Sequence, residues 1–144
     1  MPIKQFPRRS AIVIGAVSVA LALAACSAST SNDEITVEKT SAFLEQTDSY
    51  LIDVRTPDEW KQTGVASDAV MISLQNPDFV GEVDRLTGED HSAPIALICR
   101  SGARSARARD QLKDAGYKNV VSVRSGMLGE NGWIEADLPV RPVQ

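Results

Sequence analysis

Ile95-Ala96-Leu97-Ile98-Cys99-Arg100-Ser101-Gly102-Ala103-Arg104-Ser105 is the stretch whose reading decides the fold. Its first four residues are apolar without interruption. Pro94 stands at the entrance, where a missing N–H is tolerated. Such a run suits a strand buried on both faces, as in a parallel sheet. It stops at a cysteine, two arginines and a glycine, and a helical pattern follows over Ser105–Ala115. There Ala108, Leu112 and Ala115 fall at i, i+4 and i+7, and Gly116 provides a helix stop.

The same alternation extends outward in both directions. Tyr50–Val54, Val70–Leu74 and Val120–Val123 read as further strands, and Ile35–Val37 as a short edge strand. Between them, Glu38–Glu45, Pro57–Gln62 and Asn76–Leu86 read as helices. Pro57 suits a first helical turn, whereas Gly81 weakens the third of these segments. Alternating strands and helices predict an α/β fold with a mainly parallel central sheet. In open sheets of this kind, ligands bind at the carboxyl ends of the strands.

The Cys99 loop lies at such an end. A tight loop containing Gly102 can turn its N–H groups inward, and the helix N-terminus beyond it adds unpaired donors. Arg100 and Arg104 add full charges. A thiol held there loses its proton more easily, because the thiolate is the anion being cradled. The competing reading is a buried, inert cysteine at a strand end. Two arginines and a glycine are poor company for a core thiol.

Whole-chain composition is ordinary for a globular protein: 144 residues, 43% hydrophobic and 24% charged, with a formal net charge of −4. Two cysteines, Cys26 and Cys99, are too few for a disulfide framework or a cysteine-built zinc site. A pI near 5.0 argues against a nucleic-acid partner. No metal-ligand cluster and no nucleotide-binding glycine fingerprint is present, so no metal and no cofactor is expected. His91, the only histidine, lies in the polar loop Gly88–Ser92 and reads as a solvated bystander. Trp60 and Trp133 read as packing residues. Asp53 and Arg55, at a strand end, could line the site, or form an internal pair that fixes the loop.

The amino terminus is a different object. Residues 1–10 carry Lys4, Arg8 and Arg9 and no acid, and residues 11–25 carry no charge at all. The apolar run is short for a transmembrane helix and suits a secretory signal. Its exit, Leu23-Ala24-Ala25-Cys26, resembles a bacterial lipobox, which implies lipid on the Cys26 thiol and cleavage before it. Arg8-Arg9 raises a twin-arginine export route, but the residues after it fit that motif poorly. Residues 26–33 then form the lipidated cysteine and a flexible tether, and 34–144 the folded domain. Membrane attachment on the extracytoplasmic face is the expectation. Cleavage would remove three cations and no acid, leaving 12 cations against 19 acids. Four of those cations, Arg100, Arg104, Arg107 and Arg109, fall within ten residues after Cys99.

The segment ICRSGARS resembles the active-site loop of the rhodanese family of sulfurtransferases. Leu51-Ile52-Asp53-Val54-Arg55 through Glu59-Trp60 is similar to that family's LIDVR-x-x-x-E-[YFW] signature. Gly116-Tyr117-Lys118-Asn119-Val120, Gly126-Met127 and Trp133–Val140 resemble its later segments, in family order. The resemblance implies a rhodanese-like sheet flanked by helices on both faces. It implies that Cys99 attacks the outer sulfur of a small anionic donor such as thiosulfate and carries it as a persulfide to a thiol or cyanide. The N–H groups of the loop Arg100, Ser101, Gly102, Ala103, Arg104 and Ser105 would stabilise the sulfur anion, with Arg100 and Arg104 attracting the donor. With Cys26 lipidated, no second cysteine is left for an internal disulfide relay, so an external acceptor is required.

The chain departs from the family at several points. Gly64-Val65-Ala66-Ser67-Asp68-Ala69 stands where G-H-I-P-G-A is usual. Ser125-Gly126 replaces Gly-Gly. Five residues, Leu128 to Gly132, separate Met127 from Trp133 where two are usual, and Asp137 replaces a glycine. Rhodanese-like domains also serve as non-catalytic sulfur carriers or protein-docking modules, which is one alternative. Phosphatase or arsenate-reductase chemistry is another, but it uses C-x5-R, and here the arginine arrives one residue early, at Arg104.

Overall fold

A computed structural model describes residues 33–144. The expected signal segment, the Cys26 lipidation site and most of the tether lie outside the described residues. In chain order the elements are β1 (Glu34–Ile35), α1 (Val37–Leu44), β2 (Tyr50–Asp53), α2 (Pro57–Thr63), β3 (Val65–Ala66), β4 (Ala69–Met71), α3 (Phe79–Thr87), β5 (Ile95–Ile98), α4 (Ala103–Asp114), β6 (Val120–Val123) and β7 (Val140–Arg141).

Five strands form the main sheet in the order β1-β6-β5-β2-β4. Every pairing in it is parallel. The expected α/β architecture with a mainly parallel sheet is what the molecule adopts. β5 is central and all four of its residues are buried, which is why its sequence shows no alternation. Side chains still alternate between faces. Ile95, Leu97 and Cys99 join Val83 of α3 and Ala108 and Leu112 of α4 in one core. Ala96 and Ile98 join Val37 of α1, Met127 and Trp133 in the other. Helices therefore cover both faces. Each fully buried Ile or Leu contributes about 1.5–3 kcal/mol of transfer free energy, so β5 anchors the sheet from both sides.

Several boundaries move relative to expectation, each for a local reason. α4 begins at Ala103 rather than Ser105, because Gly102 with φ of +97° serves as its N-cap. α3 begins at Phe79 because Asn76 closes a turn first, its carbonyl accepting from Phe79 N at 3.1 Å. Gly81 does not break α3. A Cβ there would lie 2.3 Å from the Asp78 carboxylate, so the glycine makes room for Asp78 to fold over the first turn. Ladder pairing in β4 stops at Met71, although Ile72 N and Leu74 N still bond to Asp53 O and Val54 O at 3.2 and 3.1 Å. α1 spans Val37–Leu44, with Val37 buried as its first residue. The edge strand β1 is correspondingly shorter than expected.

The antiparallel β3–β7 pair has no counterpart in the sequence reading. Two residues per strand are too few to show periodicity. This pair occupies the region that departs from G-H-I-P-G-A. Val65 and Ala66 are fully buried, and Arg141 donates to Ser67 O and Ala69 O at 3.2 and 2.8 Å. Gly64, with φ of +73°, passes so close to Arg141 that a Cβ would lie 2.6 Å from its carbonyl oxygen.

Candidate active site

β2 and β5 are neighbours in register, with Asp53 opposite Ile98. Their carboxyl ends therefore deliver Asp53–Arg55 and Cys99 side by side. Cys99 is 1% exposed, so burial alone would make it the inert thiol of the competing reading. Its surroundings decide otherwise. Gly102 N–H donates to Sγ at 3.1 Å, and the Ser105 hydroxyl lies 3.5 Å from it. Burial pushes the thiol pKa up. The Ser105 hydroxyl and the N–H groups of Ser105, Ser101 and Gly102 outweigh it, and the net shift is downward.

The helix explains why those donors are free. α4 has a glycine at its N-cap, no side-chain cap and no acid in its first turn. Its orphan N–H groups thus lack the usual oxygen acceptor. The Cys99 sulfur stands in for that acceptor, and the helix dipole favours it as an anion.

Ser122 is a site residue that sequence reasoning missed. It is buried in β6, and its hydroxyl lies 2.8 Å from that of Ser105. When Ser122 donates to Ser105, the Ser105 proton is available to Sγ rather than only to Gly102 O, 2.9 Å away. The signal was a lone hydroxyl inside the apolar run Val120-Val121-Ser122-Val123.

The two loop arginines differ. Arg104 forks onto Glu59, at 2.7 and 2.6 Å. The Arg104 guanidinium is the main reason that the Glu59 carboxyl is held down at about 2. Glu59 also closes the capping box of α2, its Oε2 accepting from Thr56 N at 3.1 Å. Arg104 was expected to attract an anionic donor, but its charge is balanced locally and its fork is occupied. Arg100 is exposed and has no ion-pair partner among the described residues. Ser101 and Ala103 are exposed on the loop surface.

Asp53 and Arg55 form a fully buried pair at 2.8 Å. Arg55 also donates to Thr63 Oγ1 at 2.7 Å and Gly64 O at 2.6 Å. The pair is internal, but it fastens the end of α2 and the Gly64 turn rather than the Cys99 loop. Its link to the loop is indirect, through Glu59 on the same helix. His91 lies away from the site, its ring stacked on Tyr117 with centroids 4.4 Å apart. Trp133 is buried and donates to Pro139 O at 3.0 Å. Trp60 is buried too, with its indole N–H unpaired among the described residues. No group of three His, Cys, Asp or Glu residues is arranged to hold a metal among the described residues.

Residues 36–133 match the family model for the rhodanese-like domain. The chain belongs to the rhodanese-like family. It is 33% identical over 110 residues to a sulfurtransferase of Allochromatium vinosum, covering 75% of this chain and 94% of that protein. It is 35% identical over 99 residues to the uncharacterized protein RP600 of Rickettsia prowazekii, covering 62% and 80%. Among solved structures it is similar to the polysulfide-sulfur transferase homodimer of Wolinella succinogenes, with a TM-score of 0.62 at 27% identity over 77% of this chain and 79% of the other. The rhodanese-like fold and these relatives support a function of the sulfurtransferase type.

Proposed function

We propose that this rhodanese-like domain moves sulfane sulfur through a persulfide on Cys99. The observation that carries the reading is the sulfur itself: a buried thiol at an uncapped helix N-terminus, with a backbone N–H at 3.1 Å and a pKa lowered despite burial.

The chemistry balances without a cofactor. The Cys99 thiolate attacks the outer sulfur of a donor such as thiosulfate. The donor's S–S bond breaks, sulfite leaves with its electron pair, and Cys99–S–S⁻ remains. Cyanide then attacks the outer sulfur, thiocyanate leaves, and the Cys99 thiolate returns to its donors. The loop N–H groups hold negative charge throughout, by the same electrostatic logic as an oxyanion hole. Exposed Arg100 is the loop cation free to draw in the donor. Phosphate-ester chemistry fits less well, because Arg104, the arginine that would have to fork the phosphate, is forked onto Glu59.

Exposure to thiosulfate or polysulfide should add the mass of one sulfur atom at Cys99, and thiosulfate with cyanide should yield thiocyanate. Cys99→Ser should abolish both. A wild-type protein that gains no sulfur from any sulfane donor would sink the reading. A protein that loads sulfur but turns over no acceptor would be a carrier instead.

The placement follows from the amino terminus. Lipid at Cys26 would hold the domain at the extracytoplasmic face of a bacterial membrane. Labelled fatty acid should enter the wild-type protein in cells and not Cys26→Ser. Equal labelling of the two would remove the anchor.

A further inference from the structure

A cavity of about 310 Å³ lies beside the loop, lined by Val54, Leu74, Gln75, Arg104, Arg107 and Gln111. Three of these residues fall at i, i+3 and i+7 on α4, one face of that helix. From Arg104 to Gln111 the helix rises about 10 Å, so the cavity runs outward from the end of α4 that holds the Cys99 sulfur. Val54, its N–H bonded to Ile98 O at 2.9 Å, contributes to the floor. Arg104 is shared by the cavity and the loop.

The lining has a definite chemistry. Among the described residues, no carboxylate lines the cavity. Glu59 balances Arg104, whereas Arg107 is exposed and has no ion-pair partner among the described residues. One uncompensated guanidinium and two primary amides rim an apolar floor of Val54 and Leu74. This set suits an organic anion, with a carboxylate for Arg107, polar groups for Gln75 and Gln111, and a short carbon chain on the floor. The volume is at the small end of sites that hold organic molecules and is more than a small inorganic sulfur donor fills.

We propose that this cavity is the acceptor subsite and that it selects small thiols bearing a carboxylate, bound through Arg107. The proposal rests on the Cys99 persulfide argued above. The acceptor thiolate RS⁻ attacks the outer sulfur of Cys99–S–S⁻. The Cys99 Sγ–S bond breaks, Cys99 leaves as thiolate onto the Gly102 N–H, and the acceptor departs as its persulfide anion RS–S⁻. Zero-valent sulfur changes hands, so no oxidant or reductant is needed.

The test is a single-turnover discharge of sulfur-loaded protein by 3-mercaptopropionate and by 2-mercaptoethanol, each rate normalised to its thiolate fraction. Wild type should favour the carboxylate thiol about tenfold below saturation, the scale of one charge-assisted contact. Arg107→Gln should bring that ratio close to one. Lys118→Gln removes the same charge at an exposed site at the far end of the sheet, and should leave the ratio as in wild type. A wild-type ratio near one, or a ratio that Arg107→Gln does not change, overturns the proposal. A second arm needs no sulfur chemistry: glutarate titrated into Cys99→Ser should shift the Gln75 and Gln111 side-chain amide resonances, and Arg107→Gln should weaken that response. Unmoved resonances count against the cavity. Failure of Cys99 to load sulfur strikes the persulfide reading instead, and the two failures are thereby distinguished.

Discussion

Two segments meet at the Cys99 loop, and they tolerate change differently. Residues 99–105 carry the proposed chemistry. Residues 125–138 back them, with Met127 N and Leu128 N bonded to Cys99 O and Arg100 O, each at 2.8 Å. The loop matches the rhodanese-like pattern closely, whereas the backing segment departs from it three times. Two of those departures sit where the backbone is left-handed: Ser125 at φ +67° and Asp137 at φ +54°. Both replace the family's usual glycine, and both keep the conformation that a glycine would adopt without strain. The third departure, the longer Leu128–Gly132 connection, folds into close turns, with Gly129 N bonded to Ser125 O and Gly132 N to Gly129 O. The loop must preserve its atoms, and the backing segment its shape.

Gly126 is where shape becomes an atomic demand, and it should give the largest effect. Its φ is +57°, and a Cβ would lie 2.4 Å from Cys99 O and 2.7 Å from the Arg100 carbonyl carbon. Gly126→Ala combines backbone strain with a clash against backbone that cannot move without shifting the sulfur. A loss on the order of 3 kcal/mol or more is expected in urea denaturation. Ser125→Ala keeps a Cβ where one already exists, so a change within about 0.5 kcal/mol is expected there. Equal stability for both variants would dissolve the distinction between a glycine needed for φ and a glycine needed for contact.

The loop side of the comparison is tested by the sulfur's donors. Ser105→Ala removes the hydroxyl that offsets burial at Cys99. The thiol pKa should rise, so the pH profile of iodoacetamide alkylation should shift to higher pH. At neutral pH the rate should fall about three- to tenfold, the scale of one ordinary hydrogen bond's net contribution. Ser122→Ala acts only through Ser105 and should move the profile the same way by less. An unmoved profile in Ser105→Ala would leave the backbone N–H groups alone to set the thiol's acidity.

The parts of this site that were legible in the sequence are those that local pattern encodes. β5 showed itself by an unbroken apolar run, α4 by its spacing and Gly116, and the loop by cysteine, glycine and arginine between them. What stayed hidden depends on contacts across the sheet. Glu59 precedes Arg104 by 45 positions in their ion pair, and no local pattern announces that Arg104 is already paired. Ser122 reaches Ser105 only because β5 and β6 pair in parallel and α4 folds back over them. The left-handed backbone at Ser125 and Asp137 is likewise invisible in the residue types, since serine and aspartate rarely adopt it. Only the family's glycines at those positions hinted at it.

The Glu59–Arg104 pair ties α2 to the loop and should act on a smaller scale. With its carboxyl held at about 2 against an ordinary 4.5, ionised Glu59 stabilises the folded state. That contribution is fully present above about pH 4.5 and is lost as pH falls through about 2. Glu59→Gln should therefore be less stable than wild type at pH 6, by about 1 kcal/mol for a partly exposed pair. The difference should shrink steadily as pH falls through about 2 and vanish below it. Comparing variant with wild type cancels the other carboxylates. A gap that does not depend on pH would mean that the capping box, rather than the ion pair, carries the effect.

The smallest effects should fall on the two left-handed departures, and their order is the sharper test. A non-glycine residue at φ near +60° carries about 1 kcal/mol or more of backbone strain, and replacing it with glycine relieves that strain. Glycine also adds freedom to the unfolded chain, which takes back roughly 0.5–1 kcal/mol. Aspartate visits this region more readily than serine, so it starts with less strain to relieve. Ser125→Gly should then stabilise the domain by a few tenths of a kcal/mol, whereas Asp137→Gly, at an exposed position, should be neutral or slightly destabilising. Thermal melts of the two variants side by side would read the difference. If Asp137→Gly gained more than Ser125→Gly, intrinsic backbone preference would not be what governs these positions. The segment's tolerance would then have to come from contacts of the side chains themselves.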